Sequence, residues 1–158
     1  MKQRVNLIEK GSGVLKTMMG VKRYLDQSPI DNHLIELLSF RVSQINGCAF
    51  CLDMHSKELL AKGESAQRLF VMDAWRETPF FSDKERAVLD CAEALTKLNG
   101  SRVPDDVYNE VAKYFSETEL IDLTLAVTGI NTANRLNIAF GAPVGAYEVG
   151  MQFEPLNA

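Results

Sequence analysis

Two cysteines and a histidine lie close together in the stretch NGCAFCLDMH. Cys48 and Cys51 are three residues apart, and His55 follows Cys51 by four. Successive residues of an α-helix turn by about 100°, so on a helix these side chains lie within about 60° of one another. Two thiols at this spacing can close a disulfide, one attacking an oxidant and the other resolving the sulfenic acid. The stretch therefore predicts a two-cysteine redox site.

The residues around the pair indicate how its protons would be handled. His55 lies one turn after Cys51, close enough to exchange a proton with it, and histidine is the side chain that titrates near neutral pH. Glu36, on the preceding antiparallel helix, is expected to orient the imidazole or relay the proton. A helix N-terminus stabilises a thiolate and favours Cys48 as the nucleophile, whereas the histidine contact favours Cys51. The spacing alone leaves both assignments open.

The same residues fit two other kinds of site. Cys48, Cys51 and His55 are good zinc ligands, with Glu36 or water as a fourth, but the second ligand pair of common structural zinc modules is missing. Both thiols could also be small core side chains at a tight helix junction. His55 and Glu36 would then need other hydrogen-bond partners. Cys91 lies on the apolar stripe of another helix, away from any histidine, which predicts a buried, inert thiol.

The first half of the chain predicts helices that position this site. Gly, Pro and Ser/Asp residues separate helical segments, and no stretch shows sustained period-two alternation. We predict a helix over 12–25, a second one that starts at about 29–31, and a third over about 48–62. Asn46-Gly47 supplies a left-handed stop for the second helix, so the cysteines directly follow a helix end.

The second half of the chain carries further helix signals. ESAQRLFVMDAW predicts one short amphipathic helix that ends before Pro79. Two Ser–Glu pairs match the capping box and predict helix starts: Ser82 with Glu85, and Ser116 with Glu119. Three asparagines recur every three residues in the last, mostly apolar helix and predict a buried polar network at a subunit interface: Asn131, Asn134 and Asn137. The tail from Gly141 onward, rich in Gly and Pro, predicts an extended arm.

Length, composition and charge bound the class of protein. The 158 residues are 46% hydrophobic and 24% charged, which suits one compact domain, and the succession of helical segments predicts that this domain is all-α. We expect a cytoplasmic protein without membrane association, because the chain has neither a bilayer-length apolar run nor a start that resembles a signal peptide. A net charge of -4 without a basic stripe argues against a nucleic-acid partner.

The motif resembles that of a known superfamily, the alkyl hydroperoxidase D and carboxymuconolactone decarboxylase proteins. Its redox branch carries a glutamate, eleven further residues and then CxxCxxxH, as do Glu36, Cys48, Cys51 and His55. The similarity continues through EL..FRVSQINGCAFCLDMHSKELLAKGE and WRETPFFSDKERAVLDCAEALT, over about 31–97.

The resemblance implies a fold and an assembly. We expect a single AhpD-like helical bundle over residues 1–158, with its core at about 31–97 and C-terminal helices reaching to about 140. The extended tail would then cover 141–158. The helical subunits of the superfamily assemble as trimers or hexamers, so this chain is expected to form a homo-oligomer.

The resemblance also implies an activity, that of a thiol-dependent alkyl hydroperoxide reductase. Cys51 would attack the peroxide and become a sulfenic acid, with Cys48 as its proton donor and disulfide partner. Glu36 and His55 would form the proton relay. Reducing equivalents would come from a lipoyl-bearing protein or another thiol system, and no metal or organic cofactor would be needed. Phe50 stands where the best-described members have a second histidine, so the relay is one group shorter.

Two alternative functions follow from the same sequence. One is a carboxymuconolactone decarboxylase-type lyase acting on a small carboxylated lactone, a reaction that does not depend on a CxxC pair. The other is a helical oligomer in which the thiol pair senses oxidation without turnover. Activity that survives replacement of both cysteines favours the lyase, and oxidation without peroxide turnover favours the sensor.

Overall fold

The first half of the chain folds into four α-helices. The computed structural model describes residues 2–98 and 100–151. The helices are α1 (Leu7–Lys10), α2 (Ser12–Leu25), α3 (Asn32–Asn46) and α4 (Ala49–Ala61). The three helices predicted for this half are confirmed to within one or two residues as α2, α3 and α4.

The second half adds four α-helices and one 3₁₀-helix. They are α5 (Ala66–Phe70), the 3₁₀-helix (Met72–Glu77), α6 (Asp83–Thr96), α7 (Asp105–Val111) and α8 (Glu117–Phe140). Both predicted capping boxes are present, at the starts of α6 and α8. The described part of the chain contains no β-strand, so the all-α prediction is confirmed. None of its helices is long and apolar enough to cross a bilayer.

The segment between α4 and α6 differs from its prediction. Instead of one amphipathic helix, α5 ends at Phe70 and a separate 3₁₀-helix follows. The break turns Met72 and Trp75 into the core, where both are buried, while Phe70 stays exposed. Trp75 also donates its indole N–H to the buried carboxylate of Glu93 at 2.8 Å. Helix propensity alone would favour one continuous α-helix here. Burial of Met72 and Trp75, together with this hydrogen bond, instead favours the break between α5 and the 3₁₀-helix.

Helix α3 lies at the centre of a single hydrophobic core. It packs against α4, α6 and α8, and the described residues form one core cluster. Five leucines from these four helices are fully buried: Leu37, Leu38, Leu59, Leu89 and Leu123. Burial of each such side chain contributes about 1.5–3 kcal/mol. The core therefore fixes the end of α3, from which the chain enters the cysteine motif.

The tail packs along α4 instead of projecting from the domain. Residues 141–151 form turns and irregular backbone, as predicted for an arm. Lys57 on α4 donates to the Tyr147 carbonyl at 3.0 Å, and Asp53 accepts from the backbone N–H of Gly145 at 3.2 Å. The Tyr147 hydroxyl, on a buried side chain, donates to Glu58. The remainder of the predicted tail, 152–158, lies outside the described residues.

A buried charge cluster ties α3 to α6 and the 3₁₀-helix. Glu93 accepts from Arg41 Nε at 2.8 Å, from Trp75 Nε1 at 2.8 Å and from Arg76 Nη1 at 2.9 Å. Burial raises the pKa of Glu93, but these three hydrogen bonds and the charge of Arg41 outweigh burial and lower the pKa to about 2. The ionised carboxylate is therefore the form that the fold stabilises.

Replacing Glu93 with glutamine is expected to lower the free energy of unfolding at pH 7 by about 3 kcal/mol. The lowering of the pKa from 4.5 to about 2 corresponds to that amount at about 1.4 kcal/mol per pKa unit. Since the folded pKa is lowered, the stabilisation is complete above pH 4.5 and is lost as the pH falls toward 2. Urea unfolding at pH 7 and pH 3 measures both effects.

The matched control for this variant is Glu110→Gln. Glu110 is exposed on α7 and pairs with Lys113 on the surface, so its replacement is expected to change stability by less than about 0.5 kcal/mol. Equal destabilisation by the two variants, or a Glu93→Gln defect that does not shrink at low pH, would contradict the expectation.

Candidate active site

The junction between α3 and α4 places the first cysteine. Gly47 is in the left-handed conformation with φ 67° and ψ 34°, and its N–H donates to the Gln44 carbonyl at 3.2 Å. The N–H of Cys48 donates to the Ser43 carbonyl at 3.1 Å, which completes a Schellman motif. Cys48 then serves as the N-cap of α4, and its carbonyl accepts the N–H of Leu52 at 2.9 Å. The predicted Asn46-Gly47 stop is confirmed, with Cys48 just outside the new helix.

The two cysteines of the motif are joined and buried. Cys48 and Cys51 form a disulfide with a Cα–Cα distance of 5.4 Å, within the usual range. Each side chain is only 1% exposed. Cys51 is the third residue of α4, and the Cys48 side chain makes no capping hydrogen bond. In the reduced protein, both sulfurs would lie at the positive end of the α4 dipole, which favours a thiolate.

Glu36 and His55 are brought together across α3 and α4. Oε2 of Glu36 lies 2.7 Å from Nδ1 of His55. Burial raises the pKa of Glu36, but the hydrogen bond and charge of His55, with the charges of Lys62 and Lys22, outweigh burial and hold the pKa below its ordinary value. Glu36 is therefore a carboxylate at neutral pH and accepts the hydrogen bond, so Nδ1 of His55 carries the proton that it donates.

This hydrogen bond leaves the second imidazole nitrogen available. In neutral His55, Nε2 then carries a lone pair and acts as an acceptor or a base. Nε2 is buried and has no hydrogen-bond partner among the described residues. His55 lies one helical turn after Cys51 on α4, the position predicted for proton exchange with the thiol. A buried nitrogen without a hydrogen-bond partner costs free energy, and Nε2 is free to accept a proton at this position.

The asparagines of α8 form a network within the subunit. Asn46 on α3 donates to Oδ1 of Asn131 at 3.0 Å and of Asn134 at 2.9 Å. Asn134 in turn donates to Ser43 Oγ at 3.0 Å, and Asn131 donates to Thr96 Oγ1 at 3.0 Å. The predicted polar network is therefore present, and these bonds join residues of the same chain; its location at a subunit interface stays a prediction.

Asn137 is the site residue that sequence reasoning missed. Its Nδ2 donates to Sγ of Cys51 at 3.3 Å, although 86 residues separate the two in sequence. The available signal was the three-residue spacing of the asparagines, which places Asn137 on the same side of α8 as Asn131 and Asn134. That spacing predicted a polar stripe, but the pairing of α8 with the start of α4 is needed to bring Asn137 to the sulfur.

Two further sequence predictions concern cysteine and metal chemistry. Cys91 is buried on α6, and burial, with a smaller effect of Asp90, raises the pKa of its thiol to about 11. The prediction of a buried thiol is confirmed, and Cys91 stays protonated at neutral pH. The zinc alternative needs at least three converging donors. Within residues 2–98 and 100–151, no group of three His, Cys, Asp or Glu side chains is arranged to hold a metal ion.

Comparison with known proteins supports the resemblance. The sequence pattern of the carboxymuconolactone decarboxylase family matches residues 13–94, more than half of the chain. The uncharacterized protein YdfG of Bacillus subtilis (strain 168) is 41% identical over 141 residues, which cover 89% of this chain and 96% of that protein.

Solved structures show the same architecture. A protein of unknown function from Agrobacterium tumefaciens, suggested to be the antioxidant defence protein AhpD, is 37% identical with a TM-score of 0.86, covering 92% of this chain and all of that one. An uncharacterized peroxidase-related protein from a Silicibacter species shares the fold, with a TM-score of 0.75, 20% identity, and coverage of 87% of this chain and 73% of its own. The chain therefore belongs to the carboxymuconolactone decarboxylase family and has the AhpD-like fold.

Proposed function

We propose that this protein is a thiol-dependent peroxide reductase with Cys51 as the attacking sulfur and Cys48 as the resolving one. One observation carries the proposal: the Cys48–Cys51 pair lies one helical turn from His55, whose other nitrogen is bonded to Glu36. A pair of sulfurs that can close a disulfide and a base that can take a thiol proton are two components that peroxide reduction by thiols can use. The family relationship supports the same class of reaction.

The proposed reaction has two steps on the protein. His55, oriented by Glu36, takes the Cys51 proton, and the thiolate attacks the terminal peroxide oxygen. The O–O bond breaks, the departing alkoxide takes the proton back from His55 and leaves as an alcohol, and Cys51 becomes a sulfenic acid. The Cys48 thiol then attacks the Cys51 sulfur, which forms the disulfide and releases water. Two electrons pass from the two thiols to the peroxide, and the disulfide stores the oxidised state.

An external dithiol must then reduce the disulfide by thiol–disulfide exchange. Since Cys48 and Cys51 are each only 1% exposed, a slender dithiol suits this step better than the broad surface of a folded thiol protein. A dihydrolipoyl group, carried on a lipoyl-bearing protein, has this shape and chemistry. We therefore propose a lipoyl-type dithiol as the reductant.

The test follows the sulfenic acid in a Cys48→Ser variant. Without a resolving thiol, one equivalent of cumene hydroperoxide is expected to leave a sulfenic acid on Cys51 that dimedone traps. Peptide mass mapping then locates the label. Cys91 serves as the internal control because its buried, protonated thiol is expected to stay unlabelled. Dimedone on Cys91, or on no cysteine, would contradict the proposed reaction.

A second measurement separates turnover from sensing. Wild-type protein with excess dihydrolipoamide is expected to consume many equivalents of peroxide per chain. Consumption that stops after one equivalent, because dihydrolipoamide leaves the Cys48–Cys51 disulfide in place, would favour the redox-sensing alternative. Lyase activity toward a carboxylated lactone that persists after replacement of both cysteines would favour the decarboxylase alternative.

A further inference from the structure

The position of Asn137 is set by the polar network that precedes it on α8. Asn131 and Asn134 both accept hydrogen bonds from Asn46, the last residue of α3. Asn134 is fully buried and also donates to Ser43 at 3.0 Å. These bonds fix the rotation of α8 relative to the end of α3. Because Asn137 lies three residues beyond Asn134, the same rotation directs it toward the start of α4.

The amide of Asn137 meets the sulfur that the proposed reaction uses first. Its Nδ2 donates to Cys51 Sγ at 3.3 Å, a normal distance for a hydrogen bond to sulfur. A hydrogen bond strengthens when its acceptor becomes ionised, and the low dielectric around buried groups strengthens it further. The bond to the Cys51 sulfur would therefore be stronger in the thiolate than in the thiol or the disulfide.

We propose that Asn137 is a catalytic hydrogen-bond donor that stabilises the thiolate of Cys51. This inference deepens the proposed function, on which its relevance to peroxide turnover rests. It also supplies a reason for Cys51 to be the attacking sulfur. The α4 dipole acts on both cysteines, whereas the amide of Asn137 donates to Cys51. His55 removes the proton and Asn137 stabilises the anion that remains, so the two side chains have separate tasks.

The test measures the thiolate directly, without peroxide. In a Cys48→Ser, Cys91→Ala background Cys51 is the remaining cysteine, and its alkylation by iodoacetamide is followed by intact mass from pH 5 to pH 10. Leucine at position 137 keeps the approximate shape of asparagine but donates no hydrogen bond. We expect Asn137→Leu to slow alkylation about tenfold at pH 7, because a hydrogen bond to a charged group is lost. The midpoint of the pH profile is expected to move upward.

The high-pH rates separate an electrostatic role from a structural one. Once the thiol is fully ionised, the variant and its parent are expected to react at similar rates, which a general distortion of the site would not produce. Asn137→Asp provides a second variant that places a carboxylate beside the sulfur, and its midpoint is expected to move further upward. An unchanged midpoint in Asn137→Leu or Asn137→Asp overturns the proposal.

The matched control is Asn109→Leu. Asn109 is exposed on α7, so loss of its amide is expected to leave the alkylation profile unchanged. An equal shift in this control overturns the role of Asn137. Failure of the peroxide reductase proposal has a different signature: peroxide is not consumed, yet Asn137→Leu still moves the alkylation midpoint. Peroxide turnover with an unchanged midpoint rejects the Asn137 role alone.

Discussion

Replacing Cys51 with serine is expected to reduce peroxide consumption to the rate of dihydrolipoamide alone. The serine hydroxyl is not ionised at neutral pH and is not oxidised by a peroxide, so neither step on the protein takes place. Cys48→Ser has a different expected result, since Cys51 still attacks the peroxide but no disulfide forms. That variant should show a burst of about one equivalent per chain, followed by slow turnover. Cumene hydroperoxide loss in the presence of dihydrolipoamide measures both.

Cys91→Ala is the matched cysteine control. Its thiol is buried on α6, away from the motif, and its pKa is raised to about 11, so the expected turnover equals that of the wild type. Circular dichroism of the three variants checks that each remains folded. A burst of about one equivalent in Cys51→Ser, with complete loss of peroxide consumption in Cys48→Ser, would reverse the proposed roles. Normal turnover by both would place the chemistry outside the cysteine pair.

Local signals predicted most of the helices that form the site. Gly47 ends α3 because a left-handed residue is needed there, and the capping boxes of α6 and α8 satisfy their own backbone N–H groups. Such signals act over a few residues and are readable in the sequence. The pairing of Glu36 with His55 was predicted from the family resemblance and the antiparallel order of α3 and α4, and the 2.7 Å contact agrees with it.

Packing between segments that are distant in sequence determines the features that the sequence analysis did not predict. Asn137 reaches Cys51 only because α8 packs against α3 and α4, and a spacing of three residues does not specify which helix an asparagine stripe faces. The separation of α5 from the 3₁₀-helix likewise depends on the core positions of Met72 and Trp75. Helix propensity does not contain this information. The predicted assembly as trimers or hexamers stays a prediction.

Replacing Glu36 with glutamine is expected to lower peroxide turnover at pH 7 by about a hundredfold, in line with the loss of general acid–base assistance. Glutamine preserves the size of the side chain and accepts a hydrogen bond from His55, but it carries no charge to stabilise the imidazolium. The variant therefore removes the charge of the relay while keeping its geometry. Turnover with cumene hydroperoxide and dihydrolipoamide, measured from pH 4 to pH 8, tests the expectation.

The pH dependence identifies Glu36 as the source of the defect. Since the folded pKa of Glu36 is below the ordinary value of 4.5, its charge is fully present above that pH and is lost as the pH falls below it. The ratio of wild-type to variant turnover is therefore expected to shrink as the pH falls below 4.5. Glu58→Gln, on the same helix as His55, is the control, because glutamine still accepts the N–H of Gly150. An equal loss in that control would mean that a general change in charge, rather than the Glu36–His55 pair, sets the rate.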